Sequence, residues 1–316
     1  MSVSIYYLLY GALEQEFGVF NADGATTLLP YYSTSVQRNE SRSDEKLIKS
    51  GVRSVTQPSI KEIEVSGSID VPVDENAIIF WLSALLGGVY EDQSNETAQK
   101  KIYRPEQAFD LPSICTCQGF KGRTDYYRLG SGIVVNDMNL SLTAGDIKCS
   151  FGLLGRDLQY VDTNGSYPFS EDKTGAVKPE TKLYTTAEAS LSVNNVDKLG
   201  DFTEFTLNFS NNASSVRNIK SNGFVSGFRP KSLKITGNVK GLVSKSLIDM
   251  GVSSSLFSVE FELKSSTSTI KIHLPQTSFM NPKDTISGDE EVYVDMDFES
   301  YEGASAMMVE YIVPVS

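Results

Sequence analysis

The sequence predicts a mainly β protein of two tandem related β-sandwich or barrel units, each with a flanking short helix. Three observations carry that expectation. Apolar and polar residues alternate with period two over much of the chain, as in strands with one buried face. One stretch alone reads strongly as helix. A strand written Val65-Ser66-Gly67-Ser68-Ile69 returns as Ile235-Thr236-Gly237-Asn238-Val239, with Gly67 matching Gly237.

The elements follow in order. Ile63–Ile69 alternates cleanly. Asp74–Leu86 is the helix, with Asp74 as N-cap, Ile78, Trp81, Leu82 and Leu85 as one apolar face, and Gly87 as its stop. Strands are then expected at Ser113–Gly119, Tyr126–Leu142 and Ile147–Leu153. The second half repeats the order: strand Leu233–Val239, helix Ser244–Met250 stopped by Gly251, then strands Phe257–Leu263, Thr269–Phe279 (alternating best over Ile270–Leu274) and Val292–Phe298. Between the halves, Val161–Lys182 is rich in Gly, Ser, Thr, Pro and charge and reads as a linker. The expected domains are therefore 1–175, including an N-terminal arm with little periodicity over Tyr32–Ser59, and 176–316.

Composition narrows the function. The 316 residues are 40% hydrophobic and 22% charged, and no apolar run reaches the length of a membrane span. Met1–Phe20 contains Glu14 and Glu16 and no cleavage pattern, so no signal peptide is expected. The formal net charge of −12 argues against gripping nucleic acid, which requires clustered Lys and Arg. Cys115, Cys117 and Cys149 are too few and too odd in number for a disulfide framework, and they read as small buried hydrophobes.

Catalytic patterns are missing. A single histidine, His273, excludes sites needing two imidazoles, and it lies in an alternating strand. The sequence has no phosphate loop, dinucleotide fingerprint or nucleophile elbow. Its acids instead alternate with apolar residues: Glu62, Glu64 and Asp70, then Glu260 and Glu262, then Asp295, Asp297 and Glu299. These are outward faces of half-buried strands, and neither enzymatic activity nor a metal or cofactor is expected. Two sheet-rich units also expose edges, and pairing such edges between copies would close a ring.

The ordered set of Thr34–Arg38 through Gly51–Arg53, Val65–Pro72, Trp81–Gly87, Lys231–Val239, Lys271–Gln276 and Asp295–Glu299 resembles the tail tube proteins of long-tailed bacteriophages. The resemblance spans nearly the whole chain. It implies a structural virion protein whose subunits form rings, stacked around a channel for the genome. With two units per chain it implies a trimeric ring of pseudo-sixfold symmetry, with the eight acids at the lumen or at interfaces. Implied partners are other copies of the chain, a tape-measure protein, and tail terminator and distal tail proteins. DNA would pass without specific binding, no membrane would be involved, and assembly would take place in the host cytoplasm. Another tail or baseplate component, or a contractile secretion-system-like tube protein, is the alternative. The insertion-like Glu91–Ile102 and the Val161–Lys182 loop have no counterpart in that pattern.

Overall fold

A computed structural model describes residues 7–43, 59–105, 110–120, 127–143, 145–161, 168–169, 182–197, 202–285, 292–301 and 307–314. Most of the Val161–Lys182 linker and of the 43–59 connection lies outside these residues.

The first half contributes β1 (Tyr7–Leu13), β2 (Thr27–Leu28), β3 (Ser33–Thr34), β4 (Gln37–Arg42) and β5 (Ile60–Val71). Helix α1 (Ile78–Leu85) follows, then β6 (Glu91–Asp92), β7 (Ala98–Tyr103), β8 (Ile114–Phe120), β9 (Tyr127–Thr143), β10 (Asp146–Gly155) and β11 (Asp157–Val161). The second half contributes β12 (Ala189–Val193), β13 (Val196–Asp197), β14 (Phe202–Ser210), β15 (Ser214–Val216), β16 (Gly227–Arg229) and β17 (Lys234–Leu242). It ends with α2 (Lys245–Val252), β18 (Phe257–Lys264), β19 (Thr269–Thr285), β20 (Tyr293–Ser300) and β21 (Met308–Pro314). The fold is mainly β, as the alternation predicts.

Pairing follows one plan twice. In the first half β5 pairs β10 and β10 pairs the C-terminal part of β9, while β8 and β11 flank the N-terminal part of β9. In the second half β17 pairs β20 and β20 pairs the C-terminal part of β19, while β18 and β21 flank its N-terminal part. Both long strands have 17 residues, and both change register at a bulge near the middle, β9 at Asn136 and β19 between Leu274 and Thr277. The bulge bends each long strand so that one strand serves two sheets.

The halves join edge to edge. Strand β14 lies along the outer side of β9, antiparallel, with Asn139 opposite Asn208 and Leu140 opposite Leu207. One sheet of eight strands therefore crosses the molecule in the order β3/β4, β5, β10, β9, β14, β17, β20, β19. Shorter strands and the two helices cover its apolar side, and one hydrophobic core runs through both halves. Trp81 of α1 stacks on Phe151 of β10 at 5.5 Å, and Phe205 of β14 stacks on Phe261 of β18 at 5.5 Å across the two layers. Pairs of this kind contribute about 0.5–1.5 kcal/mol each beyond the area they bury.

Several details differ from the sequence reading. Helix α1 begins at Ile78, because Asp74 accepts the N–H groups of Asn76 and Ala77 and so caps the preceding turn. Helix α2 runs through Gly251 to Val252, with Ser244 capping at Leu247 N. Gly251 serves a close approach, since a Cβ there would stand 2.7 Å from Met296 Sδ. Within Tyr32–Ser59, residues Ser33–Arg42 are sheet rather than an irregular arm. They read as loop because β4 carries Arg38, Glu40 and Arg42 on an edge with little apolar surface to alternate. Glu91–Tyr103 forms a hairpin whose β7 adds to β21, so a segment of the first half completes a sheet of the second.

Glu75 ties the halves together as well. Its carboxylate meets Lys182 Nζ at 3.0 Å and accepts from Thr267 Oγ1, and its N–H donates to Lys182 O at 3.0 Å. Burial alone would raise the pKa of this acid. Hydrogen bonds from Ser265, Thr267 and Lys182 outweigh burial and hold it below the ordinary glutamate value.

The matched glycines lie in the same place, Gly67 on β5 opposite Leu153 of β10 and Gly237 on β17 opposite Phe298 of β20. A Cβ at Gly237 would collide with Thr206 O and the Phe298 ring, and one at Gly67 would stand 2.6 Å from Ser35 O. At Gly227 it would meet nothing within 4 Å. Gly237→Ala should therefore cost about 1–3 kcal/mol and lower the midpoint of urea unfolding. Gly227→Ala, measured alongside, should leave the midpoint nearly unchanged.

Candidate functional surface

The outer side of the eight-stranded sheet is polar over most of its area, with Met280 opposite Asp297, Leu242 opposite Tyr293 at one margin, and Leu154 opposite Val134 at another. One register row across it reads Ser33, Asp70, Ser150, Asn139, Asn208, Thr236, Glu299 and Ser278, with no apolar side chain. A second row, across five strands, reads Asp146, Thr143, Glu204, Lys240 and Asp295, and Lys283 lies beside Asp295. This arrangement follows from strand period: every second residue leaves the core, and those residues are hydroxyls, amides and charges.

The side chains bind one another across the strands. Asn139 Nδ2 donates to Asn208 Oδ1 over the joint between the halves. Ser33 Oγ donates to Asp70, and Asn39 Nδ2 donates to Ser66 Oγ at 2.9 Å. In the second half Asn238 Nδ2 donates to Asp297 Oδ1 at 3.2 Å and also to Asp295, while Lys240 Nζ meets Glu204 at 3.2 Å. Lys283 Nζ stands 3.9 Å from Asp297. On the polar side of these strands carboxylates outnumber lysines: Glu62, Glu64, Asp70, Asp137, Asp146, Glu204, Asp295, Asp297 and Glu299 against Lys148, Lys234, Lys240 and Lys283. The first half is mostly hydroxyl and amide, and the second half is denser in charge. Such a surface offers phosphate no cluster of cations to displace its counterions.

At one end of this side, the connection between β14 and β17 folds back over the first half. Val225 and Phe228 pack with Val134 and Leu154, and Gly223 O accepts the Ile63 N–H at 2.9 Å. From it Arg217 reaches Glu64 at 2.8 Å and Glu62 at 3.9 Å.

A sequence pattern described as phage tail tube protein matches residues 8–300. The chain belongs to the phage tail tube family. No curated protein matches it. Among solved structures, a FadL homologue of Pseudomonas aeruginosa aligns at 8% identity over 98% of this chain and 88% of that one, with a TM-score of 0.09. Likeness at that level carries no argument about fold or function.

This tail tube protein is accordingly a structural component of the virion, a member of a family that self-assembles into tubes with other tail proteins. Six of the eight acids singled out in the sequence come together on the polar side of the long sheet: Glu62, Glu64, Asp70, Asp295, Asp297 and Glu299. Glu260 and Glu262 lie elsewhere, on β18 in the layer across the core, where Lys271 bridges them at 3.6 and 2.8 Å. The sequence reading missed the amide pair Asn139–Asn208. Both residues stand at outward positions of alternating strands, a pattern that marks each as polar but does not pair them.

His273 lies in the same layer as Glu260, with Nε2 3.0 Å from Ser258 Oγ. Among the described residues no group of three or more His, Cys, Asp or Glu is placed to hold a metal ion. The cysteines are free and buried, and burial pushes the Cys117 thiol up to about 12 and the Cys149 thiol upward as well. No described helix is long and apolar enough to cross a membrane.

The amide pair makes the joint testable. Replacing both residues, Asn139→Asp with Asn208→Asp, sets two carboxylates directly opposite each other, at a cost of about 1 kcal/mol at neutral pH. Mutual repulsion raises their folded pKa values above the unfolded ones. Stability is therefore lost as pH rises through the ordinary aspartate range and regained on acidification. Urea titrations of mutant and wild type at pH 7 and near pH 3.5 should show the gap closing at the lower pH.

Proposed function

We propose that the chain is the major tail tube subunit and that the polar side of its long sheet lines the channel through which the genome leaves. The observation that carries this reading is the unbroken polar row across eight strands, on the side away from the core. A sheet with one dry side and one wet side, extended edge to edge by further copies, curves into the wall of a water-filled tube. Three copies would supply 24 strands, enough for a barrel roughly 45–50 Å across between backbones at ordinary strand spacing and tilt.

In this account the two halves are tandem tube domains, divided near residues 175 and 176, that arose by duplication. The twice-used pairing plan supports that origin, as does the match of Gly67 with Gly237. Three chains then give a ring of pseudo-sixfold symmetry, and rings stack into the tube. DNA slides past without specific binding, because excess carboxylate repels phosphate and Lys148, Lys240 and Lys283 each stand beside a carboxylate. Tape-measure, terminator and distal tail proteins are the expected partners, met during assembly in the host cytoplasm.

Glu62 and Glu64 are held by Arg217 at the rim, so Asp295, Asp297 and Glu299 are the acids best placed to act on passing DNA. Neutralising them together (Asp295→Asn, Asp297→Asn, Glu299→Gln) should leave tube assembly intact and slow DNA ejection severalfold. Ejection from phage carrying these changes, followed by dye binding to released DNA, measures the effect. An unchanged ejection rate from intact tubes would remove the electrostatic part of the proposal.

A further inference from the structure

The joint inside the chain shows how one repeat meets the next, and the second repeat ends on an edge of the same construction. On its outer side β9 carries β8 along its N-terminal part and β14 along its C-terminal part. On the corresponding side β19 carries β18 along its N-terminal part. Along its C-terminal part, opposite the side held by β20, it has no strand partner among the described residues. The strand equivalent to β14 in the first half is β3/β4, since each precedes and pairs with the glycine-bearing strand: Arg38 lies opposite Val65 as Phe209 lies opposite Ile235. Among the described residues the outer edge of β3/β4 is also unpaired by any strand.

We propose that the β19 edge of one copy pairs antiparallel with the β3/β4 edge of a second copy, with Lys283 opposite Gln37 and Thr285 opposite Ser35. The register is carried over from the internal joint. Asn139 faces Ser150 of β10 as Lys283 faces Asp295 of β20, and Asn139 faces Asn208 across the joint. The position equivalent to Asn208 is Gln37, because Gln37 faces Ser66 as Asn208 faces Thr236. At the new seam the Lys283 ammonium, 70% exposed in the single chain, would donate to the Gln37 carboxamide oxygen in place of the amide pair.

Strand direction decides which kind of contact this is. The eight strands alternate in direction, so the two outer edges run opposite ways. Pairing β19 with β3/β4 of the next copy continues the alternation and uses two different surfaces, which is a head-to-tail contact. Contacts of that kind close rings. Pairing β4 with β4 would be self-complementary and stop at a dimer. The edges also carry features that discourage indiscriminate pairing: Asn281 at φ 55, Pro282 beside it, and the charges of Lys283, Asp284 and Arg42.

This seam rests on the reading of the chain as a tube subunit, and its test separates the two. In the full chain, Gln37→Cys with Lys283→Cys places two thiols within disulfide reach across the seam, while the native cysteines are buried. A second pair, Ser35→Cys with Thr285→Cys, samples the same ladder should the first disturb folding. A shifted pair, Glu40→Cys with Lys283→Cys, is the control. After mild oxidation, non-reducing gels of the in-register pairs should show covalent dimer and trimer reversed by reductant, with about tenfold more linked chain than the shifted pair. Rings or tubes by electron microscopy without that linkage would overturn the seam and leave the tube reading standing. Dimers from Gln37→Cys alone would overturn it in favour of a self-complementary contact. A wild-type chain that forms no ring or tube would overturn both.

Discussion

The β9–β14 ladder is the constraint on which the rest depends. Seven residue pairs, from Asp137–Ser210 to Thr143–Glu204, weld two four-stranded sheets into one. Each backbone hydrogen bond adds only about 0.5–1.5 kcal/mol net, so the ladder's main effect is geometric. It fixes the apolar sides of both halves in one layer, and that is why a single core can run through them. It also fixes both polar sides on one surface, which turns two ordinary half-buried sheets into a continuous polar wall.

Other contacts support the joint from outside the sheet. The β6–β7 hairpin leaves the first half and completes the outer layer of the second at β21. The connection before β17 leaves the second half and packs on Val134 and Leu154 of the first. Glu75 holds Lys182 and the β18–β19 turn. Each half therefore contributes a strap to the other, and relative movement would break several buried contacts at once. Rigidity of this kind suits a repeating wall, where small errors in angle accumulate from subunit to subunit.

Much of the fold was legible because the strands obey a simple rule. Core-facing strands such as β5, β17, β18 and β20 alternate strictly, and period two is visible without any partner. The Gly67–Gly237 match was legible for a related reason: both positions meet backbone or ring atoms so closely that no side chain fits. Ser33–Arg42 was hidden because this edge strand is polar on both sides, with Arg38, Glu40 and Arg42 on one and Gln37, Asn39 and Ser41 on the other. The β6–β7 hairpin was hidden because its partner, β21, lies some two hundred residues away in sequence. The candidate surface was legible in part. Alternation shows which acids leave a core, but it cannot assign them to layers, and Glu260 and Glu262 went to the layer opposite Asp295, Asp297 and Glu299. Assigning them required the pairing order, which no local pattern contains.

The central claim is that the polar rows of the long sheet line a channel. A helical reconstruction of tubes assembled from the purified protein, at a resolution that separates strands, tests it most directly. The account predicts 24 strands around the lumen in each ring of three chains, with Asn139, Asn208 and Asp297 pointing inward and Lys271 pointing outward. A lumen lined instead by β18 and its acids, Glu260 and Glu262, or a wall in which the long sheet lies on the outside, would contradict it.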